Sequence, residues 1–304
     1  MNPSFVPAYV RSLESGELQD TVRRAISALE HCTLCPRQCG VDRTHGETGI
    51  CMTGRNARVS SIHAHFGEEP PLVGRNGSGT LFFTHCNLMC SFCQNWDISH
   101  QGFGEDTTDA ELARMMLALQ ERGCHNINFV TPSHVVPQIL SAVEKAAADG
   151  LRLPLVYNSG GYDAVETLEL LEGVVDIYMP DFKFWDETVA ESTCNAPDYP
   201  EAARRALAEM HRQVGDLVIG DDGLARSGLI VRHLVLPGDL AGTRQVMRFI
   251  AENISKNTYV NVMSQYRPAG MAHTLPALSR PLSAADYRAA VDAAREEGLF
   301  RFAR

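Results

Sequence analysis

The chain has 304 residues, a formal net charge of −10, 44% hydrophobic residues and 21% charged residues. This composition is typical of a globular protein with a sizeable core, and the negative charge argues against a nucleic acid as the main partner. The N-terminus lacks the basic and apolar regions of a signal peptide, and no uncharged apolar run approaches membrane-spanning length. We therefore expect a cytoplasmic protein with no membrane and no nucleic acid as its partner.

Seven of the nine cysteines fall in two tight groups, within residues 32–51 and 86–93. In a chain without an export signal, clustered cysteines indicate metal ligands rather than disulfides. Cys124 and Cys194 stand alone and are predicted to be buried structural thiols. The sequence divides into an N-terminal helix and cysteine-rich metal-binding segment (1–76), an alternating strand and helix region (77–270) and a C-terminal helical extension (271–304).

The first cysteine group has the spacing C-x2-C-x3-C-x11-C and comprises Cys32, Cys35, Cys39 and Cys51. Four thiolates complete a tetrahedral zinc site, and they also complete a second, fully protein-ligated 4Fe–4S cluster. The sequence does not choose between these two. Either centre would staple a segment that is poor in apolar residues. His31 and His45 are alternative ligands, and a metal-free segment is a further alternative.

A short alternating segment follows the first cysteine group. His63 and His65 lie two residues apart, which places both on one face of a strand. We expect this strand to lead into the rim of an active site. Glu68 or Glu69 would then have a polar role there.

Short apolar strands alternate with helices in the region 77–270. The predicted strands are Gly79–His85, Asn126–Thr131, Leu155–Asn158, Val174–Met179, Leu229–Leu236 and Tyr259–Ser264. The predicted helices are 108–122, 135–148, 163–172, 200–214, 243–253 and, beyond this region, 283–297. A turn at 221–223 predicts a small hairpin before the fifth strand. Six such units predict an α/β fold, a partial (β/α)6 parallel barrel that lacks the eight units of a closed barrel.

Three cysteines, Cys86, Cys90 and Cys93, follow the first predicted strand of this region with the spacing C-x3-C-x2-C. A structural zinc or an electron-transfer cubane requires four protein ligands, so three thiolates leave one metal position open. A zinc knuckle or a chance cluster is the alternative interpretation. The spacing and its place after the first barrel strand resemble the radical S-adenosylmethionine (SAM) superfamily.

This resemblance implies an oxygen-sensitive enzyme in which the three thiolates each bind one iron of a 4Fe–4S cluster. The methionine amino and carboxylate groups of SAM would chelate the open iron. One electron would cleave the sulfonium to a 5′-deoxyadenosyl radical, which abstracts hydrogen from an unknown small-molecule, peptide or protein substrate. The electron would come from a donor such as flavodoxin or ferredoxin.

Polar residues follow the other predicted strands, at the edge where functional residues of such folds gather. Met179-Pro180-Asp181-Phe182-Lys183 resembles the M-x-D-x-K segment of the pyruvate formate-lyase activating enzymes, and His233 resembles their fifth-strand histidine. The resemblance implies that Met179 and Asp181 help to hold a monovalent cation beside SAM. It also implies that Lys183 and His233 are catalytic residues lining the substrate and adenosyl pocket.

The cofactor-binding set is completed by the residues after the second and third predicted strands. Asn158 and Ser159 stand where that group has a polar pair. The G-G-E-like run that binds the methionine amine in many superfamily members is replaced by 130–134, Val-Thr-Pro-Ser-His. Ser133 or the Thr131 carbonyl is therefore the candidate amine acceptor.

Over most of its length the chain is similar to an uncharacterised branch related to these activating enzymes. The runs that carry this similarity are 32–40, 67–71, 77–80, 93–96 and 128–132. The leading hypothesis is a radical SAM enzyme acting on an unknown substrate. The alternatives are an activase that acts on a glycine of a partner protein, an electron carrier, and a non-catalytic iron–sulfur or zinc protein. The open metal position disfavours the last two.

Overall fold

The computed structural model describes residues 5–303. The first four residues of the predicted N-terminal segment and the last residue of the predicted C-terminal extension lie outside the described residues. The helices are α1 Ala8–Ser15, α2 Glu17–Ser27, α3 Pro70–Val73, α4 Trp96–Ser99, α5 Asp109–Glu121, α6 Val136–Ala148, α7 Val165–Glu169, α8 Glu187–Cys194, α9 Tyr199–Val214, α10 Thr243–Phe249 and α11 Ala284–Glu296. The strands are β1 Ala57–His65, β2 Ser78–Phe83, β3 Glu105–Thr107, β4 Ile127–Val130, β5 Leu155–Asn158, β6 Ile177–Tyr178, β7 Val218–Ile219, β8 Ala225–Leu234, β9 Tyr259–Met263 and β10 Arg301–Phe302.

One sheet contains these strands in the order β10-β9-β8-β6-β5-β4-β2-β1-β3, with β7 paired to β8. The six strands predicted for the central region correspond to β2, β4, β5, β6, β8 and β9. They pair as parallel neighbours in chain order, which is the arrangement that right-handed helical crossovers produce. The two edge strands, β10 and β3, lie at opposite ends of this order. The sheet is therefore open, as a partial barrel requires.

The sheet is mixed because its β2 edge is extended by antiparallel strands. β1 pairs antiparallel with β2, so Val59 lies opposite Phe83 and His65 lies opposite Ser78. The strand expected around His63 and His65 is present. It runs away from the C-terminal edge of the parallel strands, and the expectation that it leads into the rim of the site is wrong for that reason.

Local signals in the sequence explain several element boundaries. The Thr108 and Ser283 hydroxyls cap α5 and α11 in two complete capping boxes. The predicted hairpin and fifth strand are one feature, because β7 pairs antiparallel with the first residues of β8, which continues to Leu234. The helix predicted over 243–253 is α-helical to Phe249 and continues as a π-helical turn over Ile250–Ile254. Between residues 5 and 303, no helix is both long and apolar enough to cross a membrane.

The two faces of the sheet have different environments. On one face, side chains such as Phe129 and Tyr157 pack in the large core formed with the helices. On the other face, Val156, Ile177 and Ile230 form a smaller apolar cluster with Leu72 of α3. Because successive strand residues alternate between faces, neighbouring residues at the ends of the strands project into different environments.

Candidate active site

The loop after β2 carries Cys86, Cys90 and Cys93. The residues immediately before the first two cysteines, His85 and Met89, have φ angles of 70° and 57°. This left-handed region is unfavourable for residues other than glycine and recurs at functional sites, where the surrounding structure holds it. The two positions that precede Cys86 and Cys90 are therefore held in a strained conformation.

Hydrogen-bond donors of the loop reach two of the three sulfurs. Leu88 N donates to Cys86 Sγ at 3.4 Å, and Ser99 Oγ donates to Cys93 Sγ at 3.1 Å. Burial raises the pKa of Cys86 to about 12 and raises the pKa of Cys93 as well. Such thiols stay protonated until a metal replaces the proton. Three thiols that are buried or partly buried, two of them with an N–H or O–H donor at the sulfur, are a donor set that fits an iron–sulfur cluster.

Cys194 is also part of this site, although the sequence predicted an isolated structural thiol. It is buried at the end of α8, which contacts the cysteine loop through the hydrogen bond from Ser91 N to Thr193 O at 2.8 Å. Cys194 and burial together raise the pKa of Cys90. The prediction of burial is confirmed. The sequence could not show that α8 brings Cys194 to the cysteine loop from a distant part of the chain.

A partly buried ion pair between Lys183 and Asp181 lies beside the same cysteine. Lys183 Nζ pairs with the Asp181 carboxylate, and both charges act on the pKa of Cys90. Burial lowers the pKa of Lys183, but Asp181 and Cys90 outweigh this effect and the pKa is raised. The lysine is therefore a cation at neutral pH. The monovalent cation expected beside Asp181 stays a prediction, since Lys183 already neutralises this carboxylate.

The loop after β5 is organised by Asp163. Ser159 Oγ donates to Asp163 Oδ2 at 2.6 Å, and the Tyr157 hydroxyl donates to Asp163 Oδ1 at 2.9 Å. Burial raises the pKa of Asp163. The helix predicted over 163–172 begins later in the structure, since α7 starts at Val165 with Ala164 as its N-cap and no side-chain capping bond. The serine-glycine-glycine turn before it was the signal that this aspartate faces a loop.

The loops after β4 and β5 meet at the same edge. Thr131 has a φ of 61°, and its N–H donates to the Asn158 carbonyl at 2.9 Å. Ser133 is buried beside Asp163, and its side chain lowers the pKa of that carboxyl. The structure thus brings Ser133, Asn158 and Ser159 together at this edge.

Two predicted site residues have fully buried side chains. The Met179 side chain is fully buried in the apolar cluster with Val156 and Ile177. His233 is fully buried, with Nδ1 at 2.7 Å from the Phe182 carbonyl and Nε2 at 2.9 Å from the Thr243 hydroxyl. Both ring nitrogens are engaged by protein, and the ring lies on the face of β8 opposite to Arg232. This placement does not support a pocket-lining role for His233.

A buried ionic network joins β8 and β9 to the loop after β1. Arg232 of β8 makes two hydrogen bonds to Glu69, from Nε at 2.7 Å and from Nη2 at 2.6 Å, and it also pairs with Glu68. Asn261 of β9 donates to Glu69 at 2.7 Å. The polar role expected of Glu68 or Glu69 is an ionic one. Both glutamates pair with Arg232 of β8, and Glu69 also accepts a hydrogen bond from Asn261 of β9.

The four N-terminal cysteines line one small cavity together with Arg43 and His134. The alternative ligands His31 and His45 do not line it. His45 is exposed and bonds to the Asp42 carboxylate at 2.7 Å, and His31 is exposed. In the part of the chain that the structure describes, no three His, Cys, Asp or Glu side chains are placed to hold a single metal ion. Neither cysteine group is therefore gathered around a one-ion centre.

Comparisons with known proteins give a family model, a relative and a solved structure. The model of the radical SAM superfamily matches residues 80–224, from within β2 to the residue before β8. The uncharacterized protein MJ0674 of Methanocaldococcus jannaschii is 32% identical over 286 residues, which cover 91% of this chain and 78% of that protein. The crystal structure of methylornithine synthase (PylB) is 14% identical with a TM-score of 0.48, covering 97% of this chain and 75% of that chain.

Proposed function

The chain belongs to the radical SAM superfamily, and we propose that Cys86, Cys90 and Cys93 hold a 4Fe–4S cluster with one iron left open for SAM. The observation that carries this proposal is the convergence at one edge of the sheet. The three thiols, the Lys183–Asp181 pair and the loops after β4 and β5 all lie where the parallel strands end. When bound, the cluster and SAM supply a 5′-deoxyadenosyl radical, which abstracts a hydrogen atom from the substrate.

The residues around the thiols would bind and orient SAM. Lys183 offers a cation for an anionic group, since its pKa is raised and its charge persists at neutral pH. The Ser133 hydroxyl and the Thr131 carbonyl are candidate acceptors for the methionine amine, and Asn158 and Ser159 add polar groups on the neighbouring loop. His233 has no role in this proposal.

The test is anaerobic reconstitution with iron and sulfide, followed by dithionite and SAM, with 5′-deoxyadenosine as the measured product. We expect cleavage by the intact chain and loss of cleavage in Cys90→Ala. Cys124→Ala is the matched control, because Cys124 is equally buried but lies before β4, at the other end of the strands. A fully loaded cluster that cleaves no SAM would refute the proposal.

The finer proposal is that the substrate is a glycine residue of a partner protein. It is supported by the resemblance of Met179–Lys183 to the activating enzymes and by the position of its ion pair beside Cys90. The experiment supplies a glycyl-radical protein labelled with deuterium at its glycine α-carbons. Deuterium in the 5′-deoxyadenosine supports the activase function. SAM cleavage without deuterium transfer excludes that partner and leaves the general radical function standing.

A further inference from the structure

Arg43 is a fully buried cation at the wall of the four-cysteine cavity. Its side chain is 1% exposed, and it donates to Gly54 O from Nε at 3.1 Å and from Nη2 at 3.0 Å, and to His134 O from Nη1 at 2.9 Å. Within residues 5–303 no carboxylate forms an ion pair with it. Its remaining close partner is Cys32, whose Sγ lies 3.8 Å from Nη1.

A buried guanidinium without an anion is costly, because its hydration is lost and no charge replaces it. The groups that can supply negative charge here are the thiols of the cavity, which ionise when they bind a metal. Four thiolates around a metal centre would leave a net negative charge next to Arg43. The arginine therefore indicates an anionic, metal-bound state of this cavity.

The cavity is shaped around its sulfurs. A Cβ on Gly49 would lie 2.6 Å from Cys39 Sγ, so only glycine leaves room for that thiol. Leu34 and Val41 line the remaining wall, and His134 Nδ1, on the same wall, has no hydrogen-bond partner in the described part of the chain. These are independent signs of a site built to receive a group.

The arrangement favours a cluster over a single zinc ion. Zinc draws its four sulfurs to about 2.3 Å from one point, and no three donors between residues 5 and 303 are placed for one ion. A 4Fe–4S cluster instead takes one thiolate at each iron and needs no common centre. The three cysteines of the Cys86–Cys93 loop are likewise not placed around a single ion.

Hydrogen bonds join the segments that carry the two cysteine groups. Asn87 immediately follows Cys86, and its side chain acts on the pKa of Cys35. Arg37, which lies between Cys35 and Cys39, donates to Asn87 O at 3.0 Å and to Leu88 O at 3.2 Å. The same guanidinium donates to Cys194 O at 2.8 Å. The hydrogen bonds of Arg37 therefore hold the segment of one group against the loop of the other.

We propose that Cys32, Cys35, Cys39 and Cys51 hold a second 4Fe–4S cluster that passes single electrons to the cluster at Cys86, Cys90 and Cys93. A low-potential one-electron donor protein reduces the second cluster by one electron. That electron then moves to the first cluster, and the second returns to its starting state with no bond made or broken. The relay rests on the proposed function, whereas the existence of the second metal centre does not.

The first test counts metal and sulfide in the anaerobically reconstituted chain. We expect about eight iron and eight sulfide per chain in the unmutated protein, and about four of each in the triple variant Cys86→Ala, Cys90→Ala, Cys93→Ala. About four iron with one zinc, or about four iron alone, in the unmutated protein would overturn the proposal. Eight iron without SAM cleavage would instead refute the proposed function and leave the second cluster in place.

The second test measures the contact between the two centres by electron paramagnetic resonance. The matched variants are the triple variant above and Cys32→Ala, Cys35→Ala. We expect the fully reduced unmutated protein to show a spin-coupled spectrum that differs from the sum of the two variant spectra. A spectrum equal to that sum would overturn the relay.

The third test concerns Arg43 and measures the reduction potential of the second cluster in the triple variant. Arg43→Met removes a positive charge and N–H donors beside Cys32, so the potential should become more negative. Arg43→Lys keeps the charge and should recover part of the change. An unchanged potential in Arg43→Met would show that the cluster does not lie beside this residue.

Discussion

Gly161 lies directly against the backbone carbonyl of Asp181: a Cβ on Gly161 would stand 2.1 Å from Asp181 O. The φ angle of Gly161 is +75°, so side-chain-bearing residues are disfavoured there for a second reason. The Tyr199 hydroxyl bridges the same two loops, since it lies 3.0 Å from Gly160 O and 3.2 Å from Asp181 O. The loops after β5 and β6 are thus held at a fixed separation.

Gly161→Ala should separate these two loops and displace the Lys183–Asp181 pair. We expect a loss of more than about 2 kcal/mol in the free energy of unfolding, from the clash and the strained φ together, and SAM binding weakened at least tenfold. Gly160→Ala is the matched control, because its Cβ would have no neighbour closer than 3.6 Å. Urea unfolding and equilibrium dialysis with SAM measure both effects. Equal behaviour of the two variants would contradict this account of the loop contact.

Lys183→Met should reduce SAM cleavage at least tenfold while leaving the iron content unchanged. The substitution removes the cation but keeps the length of the side chain, and Asp181 is left unpaired beside Cys90. The measurement is 5′-deoxyadenosine formation per cluster, together with the dissociation constant of SAM. Lys145→Met, at an exposed position in α6, is the control. A normal rate in Lys183→Met would remove the lysine from the proposed site.

Glu69→Gln should lower the free energy of unfolding by about 3 kcal/mol. The Glu69 side chain is fully buried, and breaking one partner of a buried ion pair leaves the other uncompensated. Glu68→Gln should cost less, because Arg232 then keeps both of its bonds to Glu69. Urea titration of both variants at neutral pH provides the comparison. A larger loss in Glu68→Gln would reverse the assigned importance of the two glutamates.

Asp176 should make the protein less stable as the pH rises from about 4 to about 7. Burial raises its pKa from 3.8 to about 7, against the opposing effect of the hydrogen bonds from Ala8 N and Leu155 N. The folded state holds the proton more tightly than the unfolded state. The stabilisation from this proton is therefore complete below pH 3.8, the ordinary pKa of the carboxyl, and it is lost as the pH rises through about 7, its pKa in the folded state. It amounts to at most about 4 kcal/mol.

The measurement for Asp176 is the free energy of unfolding at several pH values. The free energy of unfolding of Asp176→Asn should vary less with pH than that of the parent chain across this window. The variant also loses a hydrogen bond, because an amide presents only one acceptor oxygen. Asp149→Asn, at an exposed position, should keep the parental slope. If Asp176→Asn also keeps that slope, the carboxyl is ionised throughout the window and its assignment is wrong.

Much of the barrel could be predicted because its strands and helices carry local signals. The apolar run at Leu155–Asn158 is the strand β5 itself, and the Thr108 capping box starts α5 where expected. The antiparallel pairing of β1 with β2 could not be predicted in this way. Strand pairing depends on contacts between distant segments, and a pattern of alternating residues carries no information about direction.

The candidate site was predictable where strand ends carry chemistry, as at Asp181 and Lys183. It was not predictable where two neighbouring strand residues project to opposite faces of the sheet. Arg232 and His233 are neighbours on β8, and strand alternation sends one to the buried ion network and the other to Phe182 and Thr243. Cys194 and Asn87 were missed because their partners are brought by tertiary contacts.

The Arg232–Glu69 bond spans 163 positions of sequence. A contact between such distant residues forms only after the intervening strands have paired, because closing so large a loop costs chain entropy that local contacts do not repay. We therefore expect it to form late in folding. Interactions made after the rate-limiting barrier slow unfolding and leave the folding rate nearly unchanged. We expect this ion pair to prolong the lifetime of the native state and to do little to hasten its formation.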